Sequence, residues 1–281
     1  MALSFLAILS WSFGWIYTTC WSLSFYPQPI LNYRRRSTSG CTIDFPTVNI
    51  LGFVAYFISN AAFLYSPRIR EEYAIRHHGL APTVKFNDLA FAAHAVVLSA
   101  LLLTQFVPSL WGFNKRSRRD PGARPSKPIL GVFFGSFVGV AIVATIVAAR
   151  HDEDVMTGWA WIDVIYAISY VKLFITLVKY TPQVITNYKN KSTVGWSIEG
   201  MLFDFVGGIL SILQLGIDSY LQGDWAGITG NPVKLALGNI SVFFDVIFIA
   251  QHYFIYAKHG KDFDEDGEVD PLLGERETRI E

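Results

Sequence analysis

Charge is scarce in this chain: Asp, Glu, Lys and Arg make up 16% of its 281 residues, and they cancel to a formal net charge of zero. A soluble domain carries roughly a quarter of its residues charged to cover its surface, so this composition excludes an ordinary water-soluble domain. The missing net charge also removes the basic field that nucleic acid as a partner would require. Cysteine is rarer still. Cys20 and Cys41 are the two present, too few for a disulfide framework. The sequence shows no glycine-rich phosphate loop, no metal-ligand cluster and no nucleophile–base signature, so neither an enzymatic activity nor a cofactor is expected.

What the chain has instead is apolar length. Hydrophobic residues make up 52% and aromatic residues 15%, and the mean hydropathy is +0.33. A hydrocarbon core of about 30 Å is crossed by about 20 apolar residues at 1.5 Å per residue. Seven runs meet that length, at 4–26, 43–64, 89–110, 129–149, 159–180, 198–217 and 233–256. The first has no basic n-region and is too long for a signal-peptide core, so it reads as a span. The expected fold is an all-α integral membrane protein in membrane lipid.

Lys and Arg in the short connections set the orientation, because they resist translocation. They gather at Arg34, Arg35 and Arg36, between Lys115 and Lys127, at Lys189 and Lys191, and at Lys258 and Lys261. Those connections are expected to be cytosolic, with the N-terminus lumenal and the C-terminus cytosolic.

Self-comparison gives the most informative signal. Tyr26, Pro27, Gln28, Ile30, Asn32, Tyr33, Arg36, Ser37, Thr38, Gly40 and Ile43 return 155 residues later as Thr181, Pro182, Gln183, Ile185, Asn187, Tyr188, Lys191, Ser192, Thr193, Gly195 and Ile198. The register continues into the next spans, with Gly52 on Gly207 and Asn49 on Asp204. Four spans separate the copies, so the repeats are parallel. Three helices, a connector and three helices (3+1+3) is the economical arrangement, with a solute site between the repeats near midplane. The expected division is residues 1–110 for the first repeat, 111–157 for a basic loop and connector, 158–257 for the second repeat and 258–281 for an acidic tail. Pro27 and Pro182 each break or kink a helix, and the pair is a candidate hinge.

Ionisable side chains inside the spans cost about 2.5 to 3.5 kcal/mol each on insertion scales, so each asks for a partner or a function. Asp204 falls roughly 12 Å past Trp196, near midplane. Lys172 and Lys179 are seven residues apart on one helix face, the second close enough to the rim to snorkel. Asp245 lies three turns beyond Lys234, too far for a direct ion pair. Asp88 opens the third span, as a helix cap or a proton-handling group. His94 and His252 carry no ligand pattern and read as packed, hydrogen-bonded side chains.

The paired segments SFYPQPILNYRRRSTSG and VKYTPQVITNYKNKSTVGWSI, with GFVAYFISN, NDLAFAAHAVVL, DFVGGILSILQ, GNPVKLALG and FDVIFIAQHYF, resemble the PQ-loop transporters and, within them, the cystinosin family. The resemblance covers all seven runs and does not include the large lumenal N-terminal extension of animal members. It implies export of L-cystine from a lysosome or vacuole, in symport with H+. It also implies that Asn49, Lys172, Lys234 and Asp245 surround the substrate, that Gln28 and Gln183 are the motif glutamines, that Asp204 is the proton-coupling acid and that Asp88 is a second one. One departure stands out: after Ser197 and Ile198 this chain has Glu199 and Gly200, where the family usually has glycine and then a substrate-facing asparagine.

The chemistry fits independently of the family. Cystine carries two carboxylates and two ammonium groups, and Lys172, Lys234, Asp204, Asp245 and Asn49 supply groups that compensate their desolvation. In the tail, Glu268, Leu272 and Leu273 have the spacing of an acidic dileucine sorting signal, which implies adaptor proteins as partners. Two other readings are open: a PQ-loop transporter of another amino acid or a sugar, and a seven-span receptor or cargo receptor.

Overall fold

The computed structural model describes residues 2–77, 79, 81–82, 84, 86–114, 123–150, 154–222 and 232–256. These residues form helices and no strands. Seven helices have 19 residues or more: α1 (Ala2–Leu23), α3 (Asp44–Tyr65), α5 (Phe86–Thr104), α7 (Lys127–Ala149), α8 (Trp161–Lys179), α10 (Ile198–Gln222) and α11 (Pro232–Ala250). Each overlaps one of the seven apolar runs. Among the described residues, five helical stretches are long and apolar enough to cross a bilayer: Asp44–Tyr65, Lys127–Ala149, Trp161–Asn190, Ile198–Leu221 and Gly238–Ile255. Asp88–Thr104 is a shorter apolar helix.

Short helices punctuate the long ones. α2 (Pro27–Arg35) and α9 (Thr181–Asn190) each begin at the motif, with Pro27 and Pro182 in the first turn. Proline is favoured there because its missing N–H would have no helical partner and its φ is already helical. The chain therefore breaks and restarts at each motif. Both short helices end on a left-handed basic residue, Arg36 at φ 47° and Lys191 at φ 51°. α4 (Pro67–Arg76) starts from Ser66, whose Oγ accepts from the Ile69 amide, and α6 (Pro108–Trp111) is a single turn. A π-helical turn at Gln251–Ile255 ends the last helix.

The repeats cross over each other. α1 packs chiefly on α10, and α8, the repeat equivalent of α1, packs on α3, the equivalent of α10. Glycine permits both approaches: a Cβ on Gly52 would meet Ile175 at 2.9 Å, and one on Gly207 would meet the Trp21 ring. The third helices, α5 and α11, pack on α3 and α10 of their own repeats. They are related by 146 residues rather than 155. α7 touches α8 and α3 and exposes most of its surface.

Two ion pairs of the described residues stand at the end remote from the motifs. They are Arg68–Glu72 and Arg76–Asp163. Arg76 also donates to the carbonyls of Val155 and Gly158, and Glu72 accepts from the Ile162 amide at 2.7 Å. These bonds tie α4 of the first repeat to the start of α8. Both cysteines are free thiols.

Candidate functional site

A cavity of about 100 Å³ lies between the repeats. Of the residues singled out in the sequence, it brings together Gln28 from α2, Asn49 from α3, Lys172 and Lys179 from α8, and Asp204 from α10. Its other walls include the aromatic side chains of Trp21, Phe45, Phe53 and Tyr180.

The polar side chains are tightly placed. Asp204 Oδ2 accepts from the Tyr180 hydroxyl at 2.8 Å and from Ser241 Oγ at 2.6 Å. Trp21 Nε1 donates to the Asp204 carbonyl at 3.2 Å, joining α1 to the same turn. Lys172 is buried with Nζ 3.5 Å from the Phe53 ring centroid, and Lys179 is buried with Nζ 4.2 Å from that of Tyr180. Such cation–π contacts partly replace water around an ammonium. Neither lysine belongs to an ion pair among the described residues, although Asp204 is within electrostatic reach of both and Asp245 within reach of Lys179. Two buried lysine side chains without an ion-pair partner among the described residues therefore face the cavity.

Asp245 lies behind this wall, fully buried, with neither carboxylate oxygen hydrogen-bonded. Asp88 stands in the first turn of α5, half-buried and within electrostatic reach of the cavity residue Tyr56. Gln183 sits beneath the opposite motif loop, outside the cavity lining. Lys234 is in the first turn of α11, but its side chain lies outside the described residues, as do Glu268, Leu272 and Leu273. His94 bonds the Tyr26 hydroxyl at 3.0 Å and His252 bonds Thr193 Oγ1 at 2.8 Å, in keeping with packed histidines. Gly200 lines the cavity, and a Cβ there would stand 3.0 Å from the Ser24 carbonyl.

The model of the PQ loop repeat matches residues 9–69 and 164–224. The chain is 41% identical over 254 residues to a cystinosin homolog of Dictyostelium discoideum, covering 90% of this chain and 84% of that protein. The chain belongs to the cystinosin family. Cystinosin of Bos taurus is 37% identical over 252 residues, which span 90% of this chain and 64% of the bovine protein. A cystine transporter of Saccharomyces cerevisiae is 28% identical over 267 residues, covering 89% of this chain and 94% of that one.

Placing this member of the cystinosin family in its repeat register shows how unequal the two halves are. In the first repeat, Asn49 Nδ2 donates to Ser99 Oγ at 3.0 Å. The equivalent positions of the second repeat, by 155 residues for the middle helix and 146 for the third, hold Asp204 and Asp245. Lys172 and Lys179 likewise stand where the first repeat has Tyr17 and Ser24. The charged groups thus come from one repeat, across from neutral counterparts in the other. Two further residues escaped the sequence reading. Gln105 and Gln251 bond to the motif asparagines, Asn32 to Gln105 Oε1 at 2.9 Å and Asn187 to Gln251 Oε1 at 3.1 Å. A comparison at the 146-residue offset would have aligned them.

Proposed function

We propose that this chain is a transporter that moves L-cystine from the lumen of a lysosome or vacuole to the cytosol, coupled to protons moving the same way, by alternating access. The observation that carries this reading is the cavity itself. Two buried lysines without ion-pair partners face the same space as Asp204 and Asn49, which complements a solute with paired carboxylate and ammonium groups. The names of the relatives, cystinosin and cystine transporter, support the same solute.

The unequal halves support proton coupling. Asp204 and Asp245 occupy positions where the first repeat holds a hydrogen-bonded Asn–Ser pair, and they lie within electrostatic reach of one another. Two buried carboxylates repel each other unless a cation or a proton compensates one of them. Lys179 lies within electrostatic reach of both, and a substrate ammonium and a transported proton are the further compensators proposed here, with Asp204 facing the cavity and Asp245 behind it. Asp88, toward the far end of α5, is the proposed entry group for protons. Lys172, Lys179, Lys234, Asn49 and Gln28 are the proposed substrate contacts.

The proposed topology is seven spans in a 3+1+3 order, with the basic ends of α2 and α9 in the cytosol. Pro27 and Pro182, each at a break between two helices, are the proposed hinges. The tail with Glu268, Leu272 and Leu273 is the proposed sorting signal and adaptor site.

Uptake of labelled cystine into proteoliposomes, with and without an imposed pH gradient, tests the function. Gradient-stimulated uptake competed by unlabelled cystine, and not by lysine or glucose, is the expected result. Equal uptake into protein-free liposomes would overturn it.

A further inference from the structure

The two motif loops meet face to face. Gly40 and Gly195 are both left-handed, at φ 87° and 89°, and a Cβ on Gly40 would lie 2.7 Å from the Val194 carbonyl and 3.0 Å from Gly195 Cα. Backbone therefore lies against backbone where the two loops meet, next to the cavity residues Gln28, Trp196 and Ser197. Side chains from the short motif helices cross this contact in both directions. Gln28 Nε2 donates to the Gly195 carbonyl at 3.1 Å, and Gln183 Nε2 donates to the Gly40 carbonyl at 3.4 Å.

Behind each motif glutamine stands the same scaffold. Gln28 also donates to Asn32 Oδ1 at 3.0 Å, Asn32 donates to Gln105, and Gln105 Nε2 donates to the Pro29 carbonyl at 3.0 Å. In the second repeat, Gln183 donates to Asn187 Oδ1 at 2.9 Å, Asn187 donates to Gln251, and Gln251 Nε2 donates to the Val184 carbonyl at 3.2 Å. All six side chains are buried. Each chain of bonds runs from the end of a third helix, through the motif helix of that repeat, to the loop of the opposite repeat.

The two latches differ in strength. Gln28 Oε1 accepts a further bond from the Ser197 amide at 2.9 Å, whereas Gln183 Oε1 is buried with no hydrogen-bond partner and its bond to Gly40 is the longer one. A buried acceptor left unpaired carries a desolvation penalty that opening to water relieves.

We propose that Gln105 and Gln251 are positioning residues that aim the motif glutamines at the opposite loop, and that this end of the cavity opens by releasing Gln183 from Gly40 before Gln28 from Gly195. The proposal rests on the transport reading for the meaning of opening, and on the hydrogen bonds for its order. Transport then depends on two residues that touch no substrate.

Cys41 supplies a native reporter, since it follows Gly40 and is fully buried. In the full-length Cys20→Ser protein it is the single cysteine, and its rate of modification by a maleimide reads out opening of the loop contact. Gln251→Leu is expected to raise that rate roughly tenfold, the effect of losing about one hydrogen bond's worth of closure. Gln105→Leu is expected to raise it only twofold to threefold, because Ser197 still holds Gln28. Asn187→Asp, which removes the donor to Gln251 and keeps the acceptor for Gln183, serves as a second variant and is expected to act in the same direction as Gln251→Leu. A merely structural role predicts faster labelling only in step with a lowered melting temperature. Gly52→Ala, which overpacks the α3–α8 contact remote from the loops, supplies that comparison.

Labelling of Gln105→Leu equal to or faster than that of Gln251→Leu would overturn the order. Unchanged labelling in both Gln251→Leu and Asn187→Asp would overturn the positioning role. The measurement needs no substrate, so these outcomes are separate from a failure of cystine uptake.

Discussion

Ser241 donates to Asp204 Oδ2 at 2.6 Å from a position one helical turn ahead of Asp245 on α11. The first repeat has a similar tie, Asn49 to Ser99, but its serine occupies the register of Asp245, and the register of Ser241 holds Ala95. The second repeat has therefore moved its hydroxyl by one turn and placed a carboxylate where the hydroxyl stands in the first. That exchange is the chemical difference between the halves.

Ser241→Ala removes one of the two hydrogen bonds to the Asp204 carboxylate. Hydrogen bonds to charged groups contribute about 1.5–3 kcal/mol, so cystine transport is expected to fall at least about tenfold while the protein stays folded. Initial rates in proteoliposomes check this, with Ser241→Thr, which keeps the hydroxyl, restoring much of the activity.

Asp204→Asn keeps the shape of the side chain and removes its ability to gain and lose a proton. Gradient-driven uptake is expected to disappear while exchange of cystine against cystine persists. Retention of pH-stimulated uptake in this variant would remove Asp204 from the coupling role.

Lys172→Gln is expected to raise the half-saturating cystine concentration by about tenfold or more, the loss expected for one charge-assisted contact to a carboxylate. The same substitution is expected to matter less for a cystine analogue with one carboxylate esterified. Uptake titrations with both compounds make the comparison.

Gly207→Ala places a methyl group against the Trp21 ring, and Gly52→Ala places one against Ile175. Overpacking of this kind costs about 1–3 kcal/mol, so both variants are expected to melt at lower temperature. Gly207→Ala is expected to impair transport more, because Trp21 also lines the cavity and bonds the Asp204 carbonyl. Thermal unfolding in detergent and transport assays on the same samples separate the two effects.

Much of this was legible in the sequence because lipid leaves few choices for a backbone: runs such as 129–149 become helices where their apolar length ends. The 155-residue register likewise exposed Asn49 and Asp204, which both line the cavity. The third helices escaped because nine fewer residues precede α11 than its repeat position requires, so Ser99, Asp245, Gln105 and Gln251 fell out of alignment. Ser241 had no signal, since a serine in a span has many ordinary uses. The motif glutamines illustrate the limit of pattern reading. Periodicity identifies a repeated polar residue, but the carbonyl that each one meets belongs to a loop 143 or 167 residues away.

The crossing of the repeats also bears on how the chain is made. α1 ends at Leu23 and its principal partner, α10, begins at Ile198, so α1 is synthesised well before the helix it packs on. Until α10 has left the ribosome, the α10-facing side of α1, with Gly14 and Trp21, must wait in the bilayer without its counterpart. The first repeat is thus a guest of the insertion machinery until the second arrives, and premature termination between them strands a helix that has no home.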